Sequence, residues 1–357
     1  MKNKLLIVVV LFWCTLTYGQ LTGIKYIPSA NYGTIAIAVD SLNTLGVGTG
    51  GVTFDVSYGY TENITAPLLI TATGTAGNPI VFKNYSPTKT LTFNPIVTRT
   101  DAGTIATTAL EAQGDAVIII QGGDFITFDG IDVQATDQGI EYGYFLRRAS
   151  PTDGCKNVTI KNSTITMTKG TSPYVIGIYS SNLDASSPAT SGTGITLTST
   201  GGRTENLTIT GNTIGNVFGG IDVRGYNHAA PYDFMDQNAV IGTQNAGNTI
   251  RNFGGNSTTT TFGVHLYYQT SPNISYNTID NAGGGGTDAT GGLYGIWHQL
   301  SNNVGNFVAS NNAITFGFNG STGGGTCIQA TPAGTTDNTI TIQNNTFGFG
   351  NFNTYTI

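Results

Sequence analysis

Charge is scarce in this 357-residue chain: 14 Lys and Arg and 20 Asp and Glu make up 10% of it, against about 25% in ordinary soluble domains. That shortage excludes a solvated helical bundle, which needs Glu and Lys on long periodic stretches. Basic residues are too few and scattered to form an electrostatic footprint for nucleic acid. Cysteine is nearly absent, with three in all, so no disulfide scaffold carries the fold. Histidine is equally rare, at three, and no cofactor motif or metal-ligand spacing accompanies it, so neither cofactor nor metal is expected. Beyond residue 19 no apolar run approaches the 18 residues a membrane span needs, so no transmembrane anchor is expected. Hydrophobic residues at 39% argue against disorder.

What the chain has instead is 50 Gly, 58 Thr and 33 Asn. The glycines follow no three-residue period, which excludes collagen. The remaining class is a β-rich chain with many turns. At its start, Lys2 and Lys4 precede an apolar run over residues 5–13, and Thr17 and Gly19 put small residues at the −3 and −1 positions. Residues 1–19 therefore read as a secretory signal peptide cleaved before Gln20. Cleavage takes the formal charge from −6 to −8.

A short unit recurs with an Asn or Ser before a Thr or Ala and an apolar residue: Ser163-Thr164-Ile165, Asn212-Thr213-Ile214, Asn248-Thr249-Ile250, Asn277-Thr278-Ile279, Asn312-Ala313-Ile314 and Asn345-Thr346-Phe347, with Asp129-Gly130-Ile131 as an earlier relative. The closing apolar residues are spaced 34, 49, 36, 29, 35 and 33 apart. A second apolar position lies five before several of them, at Ile160, Ile209, Ile274, Ala309 and Ile342. Gly-apolar pairs follow at Gly177-Ile178, Gly220-Ile221, Gly263-Val264 and Gly295-Ile296, with Cys327-Ile328 in the last place. Each period thus holds three short β segments too small to be stable alone, the pattern of a stacked solenoid.

Asp129, Asn212, Asn248, Asn277, Asn312 and Asn345 are expected to form a structural ladder at one corner, with Asn tolerating a left-handed bend and its amides bonding from coil to coil. Residues 32–45 read as an amphipathic helix capping the first coil, with Ile35, Val39, Leu42 and Leu45 on one stripe. The expected division is a leader over 1–19, a cap over 20–50 and a parallel β-helix over 51–357. Residues 351–357 continue the β pattern without a cap, so the solenoid is expected to extend past Ile357. Cys155 and Cys327, about five coils apart at ~4.8 Å per coil, are expected to be unpaired thiols.

Four stretches, residues 46–62 (GVGTGGVTFDVSYGYTE), 70–84 (ITATGTAGNPIVFKN), 124–133 (DFITFDGIDV) and 141–167 (EYGYFLRRASPTDGCKNVTIKNSTITM), resemble the N-terminal region of large surface proteins that Gram-negative bacteria export by the type IX route. The region is similar to right-handed parallel β-helix domains of the pectin-lyase-like superfamily. The resemblance implies an all-β, right-handed parallel β-helix solenoid, secretion and display at the outer surface. It implies no activity, because that superfamily includes lyases, hydrolases, epimerases and non-catalytic adhesins.

Polysaccharide hydrolases need paired carboxylates, and lyases need a base with help for the uronate carboxylate. The pair Asp129 and Asp132 has a plainer role at the corner. Strand alternation instead points to the residues after each Gly-apolar pair: Tyr179, Asp222, His265, Trp297 and Gln329 should face outward, and two positions on so should Ser181, Arg224, Tyr267, Gln299 and Thr331. Tyr179, Tyr267, Trp297, Gln299 and Gln329 are the candidates for contact with sugar rings and hydroxyls. Asp222, Arg224 and His265 are the acid–base candidates, with His265 as base, Asp222 as its orienter and Arg224 as carboxylate binder. An ordinary sheet face would also show Tyr, Trp and Thr, which strands favour. His298, one step later, should turn inward. The reading is a secreted or cell-surface module with a structural or adhesive role that binds an extracellular polysaccharide or cell-surface glycan. The alternative is a lyase or glycoside hydrolase acting on an acidic polysaccharide.

Overall fold

A computed structural model describes residues 19–86, 93–105, 115–170, 174–187, 194–254, 260–281, 283, 292–301, 305–317, 324–332 and 338–350. The leader and the segment 351–357 lie outside the described residues, as do most of the glycine run and residues 188–193 of the long loop. The chain is a right-handed parallel β-helix. Three sheets of ten, nine and eight strands run its length, and each coil contributes one strand to each in turn. The first sheet runs from Leu21–Ile27 to Thr339–Gln343, the second from Thr61–Ile64 to Thr346–Gly350, and the third from Leu68–Ile70 to Gly325–Pro332.

Register explains the recurring apolar positions. In the first sheet Phe54, Phe82, Phe128, Ile160, Ile209, Ile241, Ile274, Ala309 and Ile342 lie in line. The second sheet lines up Val97, Val133, Ile165, Ile214, Ile250, Ile279, Ile314 and Phe347. The third lines up Ile118, Tyr144, Ile178, Ile221, Val264, Ile296 and Ile328. Nearly all are buried in one continuous core. Each fully buried Ile or Phe there contributes roughly 1.5–3 kcal/mol.

The first coil is closed by the helix Ile35–Leu45, three residues shorter at its start than the sequence pattern suggests. Thr34 caps it, its hydroxyl accepting from the Ile37 N–H at 3.1 Å. Its first two N–H groups donate to Glu62, at 2.6 Å from Ile35 and 3.0 Å from Ala36. A buried carboxylate therefore sits on the positive end of the helix. Ile35, Ala38, Val39 and Leu42 cover the core, while Asn43 bonds to Leu69 and Thr71 of the coil beneath.

The corner between the first and second sheets carries the amide ladder. Asn212, Asn248, Asn277 and Asn312 are each 1% exposed. The Oδ1 of each accepts from the backbone N–H of the ladder residue one coil earlier, and its Nδ2 donates to the next Asn at 2.9–3.1 Å, ending on Asn345. Two details differ from the sequence reading. The left-handed bend belongs to the residue before the ladder Asn, at Gly211, Tyr276, Asn311 and Asn344, with φ from 54° to 67°. The ladder residue itself must aim its amide inward, so the preceding residue takes the turn. Asp129 is not a member either. It ends the strand Ile126–Asp129 beside Lys161, accepting from Asn162 Nδ2 at 2.6 Å and holding Lys161 Nζ at 3.1 Å. The ladder position in that coil is Ile131, whose N–H donates to Ser163 Oγ at 3.2 Å, and Val133 rather than Ile131 faces Ile165.

Cys155 is buried and Cys327 half-buried, and both are free thiols. Among the described residues no helix is long and apolar enough to cross a membrane.

Candidate functional site

The Gly-apolar pairs have a steric cause. A Cβ at Gly143, Gly177, Gly220, Gly263 or Gly295 would come within 2.3–2.7 Å of the Cγ2 of Ile165, Ile214, Ile250, Ile279 or Ile314, respectively. Glycine is therefore required where the third sheet closes on the second. The Gly and the apolar residue after it both serve the interior, and the next residue is turned outward.

That outward row reads Leu69, Ile119, Phe145, Tyr179, Asp222, His265, Trp297 and Gln329. Two positions on, Arg224, Tyr267 and Gln299 are in line. Three positions before lie Ala116, Tyr142, Ile176, Gly219, Phe262, Tyr294 and Thr326. Apolar side chains of this face, from Ala116 to Phe262, form a second cluster distinct from the main core, with Leu69, Tyr294 and Trp297 packed against it.

Rings in the central row stack along the solenoid axis. Phe145 and Tyr179 are 5.2 Å apart at 6°, and His265 and Trp297 are 4.5 Å apart at 30°. Between these two stacks lies the coil of Asp222 and Arg224. Arg224 donates through Nε to Asp222 Oδ2 at 2.8 Å, and its Nη2 lies 2.8 Å from the same oxygen. The guanidinium carbon is 5.9 Å from the centre of the Tyr179 ring, within cation–π range. His265 Nδ1 lies 3.0 Å from Asp222 Oδ1, and Nε2 lies 3.2 Å from Gln299 Oε1. Burial alone would raise the Asp222 carboxyl. The charges and hydrogen bonds of Arg224 and His265 outweigh it and hold the group below the usual carboxylate range. The same pairing raises Arg224 against the effect of its own burial.

The structure thus brings Asp222, Arg224, His265, Gln299 and Trp297 into contact, with Tyr267 5.9 Å from the His265 ring. Gln329 lies above Trp297 and is half-buried. Outward direction does not make every one of them accessible. Tyr179 is only 2% exposed, covered by Tyr142 and Phe145, so it supports the Arg224 guanidinium and cannot itself stack on a sugar. Asp222 is fully buried and His265 is 3% exposed. With Nε2 closed by Gln299, His265 presents no free base in this conformation. Arg224 keeps a third of its side chain exposed, and Trp297, Tyr267 and Gln299 are half-buried. Ser181 is buried, its hydroxyl accepting from the Leu183 N–H, and Thr331 donates to the His298 carbonyl.

His298 turns inward, fully buried against Phe307, with Nε2 at 3.1 Å from the Gln269 carbonyl. Burial lowers it to about 4. Asp132 accepts from Asn94 and from the Thr164 N–H, which fits a corner role. Sequence reading missed the Tyr142, Phe262 and Tyr294 row, because a Gly-apolar pair puts two successive residues inward and breaks simple alternation. It missed Gly143-Tyr144 as the earliest full member of the column, since an aromatic stands where Ile or Val recurs. It also missed the buried pair Arg148 and Asp236, 2.6 Å apart at the corner between the third and first sheets.

No protein-family model matches the sequence, and no curated protein sequence matches it. Among solved structures the chain is similar to an alginate lyase from Paenibacillus sp. (14% identity, 90% of this chain and 98% of that one, TM-score 0.41). It is similar to a lacto-N-biosidase from Eubacterium ramulus (11% identity, 91% and 68%, TM-score 0.39) and to a surface adhesin of Streptococcus pneumoniae (12% identity, 88% and 88%, TM-score 0.31). These are likenesses of fold, and no residue assignment follows from them.

Proposed function

We propose that the chain is a secreted or cell-surface β-helix module that binds glycan across the outer face of its third sheet, centred on Arg224. The observation that carries this reading is the guanidinium itself. Asp222 accepts from the Nε–H and pairs with Nη2 as an ion, so among the described residues the two Nη1 donors of the five an Arg carries have no protein partner. They are held in a fixed direction on a one-third exposed side chain, next to Tyr267 and with Gln299 and Trp297 one coil further on. Rigid donors beside aromatic edges and amides suit the hydroxyls and carboxylates of a polysaccharide. Because the rings stack on one another, they offer edges more than open faces, and polar contacts carry the greater share. The leader sequence supports secretion, and the resemblance to type IX cargo supports display at the surface of a Gram-negative cell.

The contact between Asp222 and His265 favours a second reading, a lyase or hydrolase of acidic polysaccharide, in which Gln299 swings away to free Nε2 as base. A glycan array, followed by calorimetry on the mature chain, tests the first reading. Arg224→Gln should weaken binding at least about tenfold, and an unchanged affinity would refute it. Ultraviolet absorbance of unsaturated uronate products tests the second. Turnover that disappears in His265→Ala would establish an enzyme in place of a binding module.

A further inference from the structure

The outer face of the second sheet carries a separate notch. Thr164, Thr213 and Thr249 are in line, and beside them Thr166, Gly215, Arg251 and Asp280. Gly215 leaves a gap in this row. A Cβ there would meet only Arg251, at 3.6 Å or more. The resulting hollow of about 230 Å³ is lined by Thr164, Thr166, Thr213, Asn216, Arg251 and Asn252. At roughly 30 Å³ per water, it has room for a substituted sugar group.

One cation, Arg251, lines it, and a second, Lys169, is tied to the lining residue Asn252. Arg99, Arg148, Arg203 and Arg224 each hold a carboxylate at 3.2 Å or less. Among the described residues Arg251 holds none, and it is exposed; Asp280, next above it, turns Oδ1 to the Gly283 N–H at 2.9 Å. Lys169 starts from the coil of Thr166 and reaches the coil of Arg251, where its ammonium donates to the Asn252 backbone oxygen at 3.2 Å and to Asn252 Oδ1 at 2.8 Å. It thereby passes the middle coil, that of Gly215. Burial lowers this ammonium to about 8, and no carboxylate opposes the shift. A half-buried cation tied only to neutral oxygens has spare capacity for an anion. The hydroxyls of Thr166 and Thr213 are further donors on the same wall.

We propose that this notch is an oxyanion site, taking a sulfate ester or carboxylate carried by an acidic polysaccharide, with Arg251 and Lys169 supplying the charge. It is independent of the Arg224 face. A polymer bound at both would wrap adjacent faces of the solenoid.

Calorimetry of the mature chain with a heparin-derived oligosaccharide, an oligogalacturonate and sodium sulfate tests it. One acidic oligosaccharide is expected to bind, with inorganic sulfate competing. Arg251→Gln and Lys169→Gln should each weaken binding about tenfold. Gly215→Leu, which fills the notch at a position of ordinary contact, should abolish binding while circular dichroism stays unchanged. In Arg224→Gln this binding should persist, which separates the site from the one on the third sheet. Binding that survives Gly215→Leu and Arg251→Gln overturns the proposal. Sulfate binding as tightly as either oligosaccharide overturns the assignment to a polysaccharide and leaves a free-ion site.

Discussion

Replacing Asn277 by Ala tests the corner ladder at its centre. Asn277 Oδ1 accepts from Asn248 N–H at 3.0 Å and from Asn248 Nδ2 at 2.9 Å. Its Nδ2 donates to the Ile241 carbonyl at 2.8 Å and to Asn312 Oδ1 at 3.0 Å. Truncation leaves one buried backbone N–H and weakens one buried carbonyl, at about 1–3 kcal/mol each, besides the side-chain bonds. The expected loss is therefore about 3–5 kcal/mol, large for a single substitution. Ser163 supplies an internal control, because it holds the same column with a hydroxyl that accepts from the Ile131 N–H and donates to the Lys161 carbonyl. Asn277→Ser should keep about half the interactions and lose about half as much. Asn345→Ala, half-buried in the last described coil, should cost this chain only about 1 kcal/mol because water replaces the amide. Urea unfolding followed by circular dichroism gives the totals. Native-state hydrogen exchange at the Asn248 amide gives the local effect, which matters because solenoids need not unfold in one step. Equal losses for Asn277→Ala and Asn345→Ala, or unaltered exchange at Asn248, would refute the ladder as a source of stability.

Three further outcomes follow from the geometry. His298 is held at about 4 in the folded state against 6.5 ordinarily, so the unfolded chain takes up its proton first. Stability should fall as pH drops from 6.5 toward 4, by up to about 3 kcal/mol, and His298→Gln should flatten that part of a pH-dependent urea series. Gly263→Ala brings a Cβ to 2.4 Å from Ile279 Cγ2 and 2.8 Å from the Gly295 carbonyl; a loss of about 1–3 kcal/mol is expected, and a thermal midpoint equal to wild type would remove the steric reason for the Gly column. Burial pushes Cys155 up to about 12 and Cys327 to about 11, so a thiol reagent should modify half-buried Cys327 first and reach Cys155 only after denaturation; fast labelling of both in native buffer would contradict the core assignment.

The fold was legible because the solenoid repeats its constraints. Ile165, Ile214, Ile250, Ile279 and Ile314 recur because each presses on a glycine, and that pairing also set which residues face outward. The meeting of Asp222, Arg224 and His265 followed from counting two positions on adjacent coils. What alternation could not convey was cover: Tyr179 and His265 point out of the barrel yet are buried, because neighbouring rings enclose them. Asp129 was misplaced because Gly130 and Asn162 make equivalent bends, and spacing from Ile131 puts the corner two residues early. A second amide column, Asn157, Asn206 and Asn238, with φ of 55–60° and bonds of 3.0 and 3.3 Å, went unnoticed since the first two resemble common Asn-X-Thr triplets. The Arg251 notch left no motif at all. It arises from a missing side chain at Gly215 and a lysine that crosses two coils.

Every Oδ1 in the inner ladder accepts from the coil before it, so the side-chain carbonyls from Asn212 to Asn345 all point one way along the axis. Such a file has a negative end and a positive end, as a helix does, yet it runs through side chains and lies in the least hydrated part of the corner. Aligned dipoles polarise one another. The solenoid is therefore electrically directional even where charged side chains are scarce, and each added coil meets an oriented field as well as an open strand edge.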